Sequence, residues 1–196
     1  MPVLFPPSLM IYPLQLETAL YLVGFLLLAG HALALAKPAS LQTSLRAFPR
    51  SKAWGLLLVT IAAAWFFGLV WVMDLGEFTS WRQVVLIATP VAWLLTIKFV
   101  DEFLAARSLG MVVLLAGEPL LEAAFLRPEQ SRLFLVALVF VWIVFAMFWV
   151  GMPYTLRDHI AWITKDQKRW RAATFAGLAY GALLLFLPMT YAKSAP

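Results

Sequence analysis

The chain has 196 residues, 63% hydrophobic and 13% charged, with a formal net charge of +5 and a mean hydropathy of +0.87. The absence of cysteine excludes disulfides, thiolate metal sites, Cys-held iron–sulfur clusters and cysteine nucleophiles. A soluble domain cannot hide this much continuous apolar sequence, and in a spanning protein the basic excess reports orientation first, so nucleic acid is not expected as a partner.

The apolar runs reach the roughly 20 residues that cross about 30 Å of hydrocarbon as helix. They predict an all-α, polytopic helical membrane protein with six transmembrane helices. Six spans with short connections use nearly every residue, so 1–196 is expected to be a single integral membrane domain. The first helix is predicted over 14–36, between Pro13 and Pro38. The segment before it lacks the basic n-region of a secretory signal, so this helix is expected to be retained. A short interfacial helix follows in 40–50, with Leu41, Leu45 and Phe48 on one face and Arg46 towards water.

The second span covers 54–73, with Trp54 and Trp71 at headgroup depth. An acidic connection containing Asp74 and Glu77 leads to the third span, 83–100, which Pro90 can bend. The fourth, 103–126, carries Gly110, Gly117 and Pro119, and is either a kinked span or a re-entrant pair of half-helices. The fifth covers 133–150 and is rich in aromatic residues. The sixth covers 172–191, with Pro188 near its end.

The basic residues alternate along this scheme. Linkers 37–53, 98–107 and 153–171 hold four, two and five of them, against Arg82, Arg127, Arg132 and Lys193 elsewhere, an eleven-to-four excess. Odd-numbered linkers are therefore expected in the cytoplasm and both termini outside, most simply in a bacterial inner membrane.

Several polar groups are candidates for function. Lys98, Asp101, Glu102 and Arg107, with Glu118 and Glu122, form a possible intramembrane polar site. If the third helix continues past Val100, Lys98 and Glu102 pair one turn apart. A continuous fourth helix places Glu118 near mid-membrane, where a carboxylate must be protonated, paired or hydrated, and such a residue is expected to face a protein or water-filled interior. The plainer alternatives are an ion-paired interface junction and a helix cap. His31 and His159 are weak candidates for haem or metal ligands, set against a hydrogen-bonded helix-end His31 and a solvated His159. No cofactor is identified by the residues. Trp162, Lys165, Lys168, Arg169, Trp170 and Arg171 form a basic, indole-bearing segment suited to membrane-surface anchoring. Gly177 and Gly181 offer a close-packing stripe, more suited to intrachain contact than to dimerisation.

No complete reaction centre can be assembled from these residues, and no H-E-x-x-H, G-x-S-x-G, phosphate-cradling or dinucleotide motif is present. The leading expectation is a non-catalytic accessory or scaffold subunit of a multiprotein membrane complex, with membrane lipids and other integral membrane subunits as partners. The alternatives are a small ion-coupled transporter using an intramembrane glutamate, and an intramembrane enzyme acting on a lipid or isoprenoid.

Overall fold

The computed structural model describes residues 11–100 and 102–191 and is helical almost throughout. Eight α-helices follow in order: α1 (Leu16–Ala36), α2 (Pro38–Ala47), α3 (Lys52–Val72), α4 (Arg82–Phe99), α5 (Leu104–Ala124), α6 (Arg132–Gly151), α7 (Tyr154–Thr164) and α8 (Gln167–Tyr191). Six of these helical segments are long and apolar enough to cross a bilayer, and the protein is an all-α multi-pass membrane protein. The two short ones, α2 and α7, fall in linkers that are amphipathic rather than apolar, too short to span and suited to an interface.

Local chemistry explains most boundaries. Ser51 caps α3 by accepting the Trp54 amide N–H at 3.4 Å, and Asp166 caps α8 by accepting that of Lys168 at 3.0 Å. The second cap starts α8 at Gln167, five residues before the expected 172. Lys168, Arg169, Trp170 and Arg171 are therefore the first turns of a spanning helix rather than a loop. The fourth span is one continuous helix of 21 residues despite Pro119, so the re-entrant alternative does not occur. The chain reverses after α5 through Leu126, whose φ of +53° is a left-handed conformation usually given to glycine.

Contacts group the chain into two compact units, and α5 and α6 each contribute to both. The first holds Phe48–Glu118 and Trp142–Leu156. Here Gly55 of α3 meets Leu104 and Ala105 of α5, while Gly110 of α5 lies against the Ala146 carbonyl and Val150 of α6. A Cβ at Gly110 would stand 2.8 Å from that carbonyl oxygen, so only glycine permits this approach. In contrast, α4 buries none of its residues and meets α3 through a bond of 3.1 Å from the Trp93 indole N–H to the Thr60 hydroxyl.

The second unit holds Tyr12–Ala47, Pro119–Val141 and the chain from Arg157 onward. Its centre is the antiparallel pair α1 and α8. Helix α1 buries Leu16, Ala19, Leu20, Val23, Gly24 and Ala34, while α8 buries Trp170, Thr174, Gly181, Leu184 and Pro188. With half-buried Gly177 between Thr174 and Gly181, these positions step by four and three in turn along α8, the spacing of a coiled-coil seam. Glycine makes the seam close: a Cβ on Gly24 would lie 3.0 Å from the Gly181 carbonyl oxygen, and one on Gly181 3.0 Å from that of Gly24.

Candidate functional site

Helices that end inside or beside a bilayer leave carbonyls with little water to satisfy them. Side-chain donors take that role at five helix ends. In the first unit, Arg82 donates to the Trp71 and Met73 carbonyls at 3.1 and 2.7 Å, closing α3, and Arg107 donates to the Val150 carbonyl at 3.2 Å, closing α6. In the second, Arg132 donates to the Ala124 carbonyl of α5 at 3.1 Å. Arg46 grips the end of α7 through the Thr164 hydroxyl at 2.8 Å and carbonyl at 2.6 Å, and the Trp170 indole N–H reaches the Ala34 carbonyl of α1 at 3.2 Å. Cations here meet the negative end of a helix dipole as well as an unpaired oxygen. Sequence reading assigned Arg46, Arg82 and Arg132 to topology, and Arg107 to the candidate polar site as well. An arginine beside a predicted helix end was the available signal, but which end it serves depends on tertiary contact.

Within the predicted polar site, the described residues do not form the expected Lys98–Glu102 pair. Helix α4 ends at Phe99, with Val100 at φ −103° and ψ 80°, so the helical continuation needed for a Lys98–Glu102 pair is absent. Both side chains are exposed, and the Lys98 ammonium lies 5.7 Å from the Phe99 ring centre. Asp101 lies outside the described residues. Arg107 is half-buried and held by α6, next to Ser108, which is fully buried. Glu118 is exposed on the first unit's part of α5, in place of the interior position expected for it. Glu122, in the second unit, is half-buried and accepts the Tyr12 amide N–H at 3.3 Å.

His31 is a packing residue of the α1–α8 seam. Its Nδ1–H donates to the Leu27 carbonyl at 2.7 Å, and its Nε2 edge sits over Gly177, in the space a Cβ would occupy there. The stripe Gly177 and Gly181 is thereby used within the chain. His159 is half-buried on α7. Among the described residues, no three His, Asp or Glu side chains converge as a metal site.

The basic segment divides by function. Trp162 is 60% exposed, and the Arg169 guanidinium lies 4.8 Å from its ring centre, an arrangement suited to a headgroup layer. Lys165, Lys168 and Arg171 are also exposed. Trp170 is not an anchor at the surface: it is 4% exposed and packed under α1.

One cleft was missed by sequence reading. A cleft of about 540 Å³ in the first unit lies between α3, α4 and α5, lined by Ala62, Ala63 and Phe66, by Ala88 and Ala92, and by Leu114 among others. Its surface is almost wholly apolar. The Thr89 hydroxyl on its wall donates to the Val85 carbonyl at 2.8 Å, and the Trp93 indole to Thr60, so these polar groups are already satisfied. The signal in the sequence was small residues one turn apart, Ala88 and Ala92, on the helix with the lowest hydropathy of the six spans. No family model, curated protein or solved structure matches the chain.

Proposed function

We propose that the protein is a non-catalytic accessory subunit of a membrane complex, held in a bacterial inner membrane with its odd-numbered linkers in the cytoplasm. The observation that carries this reading is the small-residue cleft on α4, a helix that buries none of its residues. Lipid-facing helix surfaces need no small residues, whereas helix–helix contacts in membranes favour them because they let backbones approach. Ala62 and Ala63 opposite Ala88 and Ala92 form such a surface with no helix in it. Further support comes from Arg82, Arg107, Arg132 and Arg46, whose hydrogen bonds complete the chain's own helix ends. The orientation is supported by the basic excess, and by the Arg46–Thr164 bonds, which bring the first and fifth linkers to one end of the second unit.

Photo-crosslinking in native membranes tests it. A crosslinker at Ala88 or Ala92 is expected to give a discrete protein adduct that also co-purifies in stoichiometric amount, while one at exposed Phe25 gives lipid adducts only. Lipid adducts alone at all three positions would remove the basis for the subunit reading.

The same cleft favours a second reading, an enzyme or binding protein for a lipid or isoprenoid, because about 540 Å³ is within the range of small-ligand pockets. Under that reading the cleft crosslinker captures a specific hydrocarbon ligand. The ion-coupled transporter rests on Glu118, with Glu122 and the charges around Lys98 and Arg107, and none of these lines the cleft.

A further inference from the structure

The second unit contains a smaller pocket of a different character. About 270 Å³ in volume, it lies where α1 ends and α8 begins, lined by Ala34, Leu35 and Pro38 on one side and by Gln167, Arg171 and Phe175 on the other. Its floor is Trp170, fixed by the indole bond to the Ala34 carbonyl. Residues 167, 171 and 175 are successive turns on one face of α8, so the wall passes from amide to guanidinium to aromatic ring over about 12 Å of helix. That length exceeds a headgroup layer of about 5–8 Å, so on a membrane-crossing α8 the column is long enough to reach from a headgroup into hydrocarbon.

The charge around the pocket is one-sided. Lys37 adjoins it at the end of α1, and Lys165, Lys168, Arg169 and Arg171 surround the start of α8. Asp166 is the one acid in that stretch, and its carboxylate is engaged by the Lys168 amide. Arg157 is neutralised by Asp158 at 2.7 Å. Arg171 has no hydrogen-bond or ion-pair partner among the described residues, in contrast to the arginines that close helix ends.

We infer that this pocket binds one anionic phospholipid, with the phosphate held by Arg171 and Gln167 and an acyl chain running down Phe175 and Leu35. A guanidinium can take two phosphate oxygens at once, and the surrounding cations concentrate anionic lipid over zwitterionic lipid. The apolar lower wall selects a lipid over a free phosphate ion, because a phosphate alone would leave Phe175 and Leu35 without an acyl chain against them. The site is independent of the α3–α4 cleft and of the subunit reading.

Native mass spectrometry of the full-length detergent-purified chain tests this, after incubation with phosphatidylglycerol, phosphatidylcholine or inorganic phosphate. One phosphatidylglycerol is expected to be retained about five-fold better than phosphatidylcholine, with inorganic phosphate neither bound nor competing. Arg171→Gln should remove the preference, and Gln167→Trp, which fills the pocket while leaving every cation in place, should abolish retention. Arg157→Gln removes the same charge outside the pocket and should leave the preference intact. Equal retention of the two lipids, equal loss in Arg157→Gln and Arg171→Gln, retention in Gln167→Trp, or competition by inorganic phosphate would each overturn the site. A melting temperature and elution volume matching the parent chain confirm that each variant is folded.

Discussion

The α1–α8 pair and the α3–α4 pair are both built from helices apolar enough to cross a membrane, yet the first is closed and the second open. Mean hydropathies are 2.1 and 1.7 for α1 and α8, against 2.2 and 1.3 for α3 and the α4 segment, so each pair joins a more apolar helix to a less apolar one. The difference is where the small residues meet. In the α1–α8 seam Gly24 faces Gly181, and His31 fills the notch at Gly177, so backbones and side chains interlock. Between α3 and α4, Ala62 and Ala63 face Ala88 and Ala92 across a cleft, and the Trp93–Thr60 bond ties the helices on one side. Since lipid tails are as apolar as leucine, burial alone does not bring membrane helices together; close packing and hydrogen bonds do. A complementary pair of notches thus gives internal structure, and an unmatched one leaves a binding surface.

The largest effect is expected where the seam has no room. Gly177→Val places side-chain atoms in the space of the His31 ring and should destabilise the chain by about 3 kcal/mol, measured by detergent-titration unfolding. His31→Ala in the same chain should restore a substantial part of that loss. An unchanged stability in Gly177→Val would show that α1 and α8 do not pack as described.

Arg46→Ala removes both donors from the end of α7, including the charge-assisted bond to the Thr164 carbonyl. A loss of about 2 kcal/mol is expected, with increased hydrogen exchange at the last turn of α7. Arg46→Lys keeps the charge but cannot reproduce the forked geometry, and should recover less than half. Full recovery by lysine would reduce this contact to simple electrostatics.

The open pair should respond weakly. Trp93→Phe removes the indole bond to Thr60 and should cost about 1 kcal/mol or less. Ala88→Leu projects into the cleft and should change the stability of the isolated chain by no more than about 0.5 kcal/mol, while reducing recovery of the crosslinked partner several-fold. If Ala88→Leu destabilises as strongly as Gly177→Val, the cleft is a packed interface in solution and the contrast between the two pairs fails.

The sequence by itself determined the class and the six spans, because crossing hydrocarbon needs a run of about 20 apolar residues, and that requirement is written along one dimension. It also marked Gly177 and Gly181 as a packing stripe, since three intervening residues put both on one helix face. Tertiary structure alone decided which surfaces meet. His31 carries no sequence signal that its partner is Gly177, and Arg46, Arg82, Arg107 and Arg132 look alike until the carbonyls they close are in place. The start of α8 was misplaced for the same reason: Lys168, Arg169 and Arg171 read as a membrane-surface linker before the last span, while the Asp166 cap and the burial of Trp170 under α1 make them helix. Protein-facing and lipid-facing side chains are chemically alike in a bilayer, so composition records that a helix is in the membrane but not which neighbour it touches.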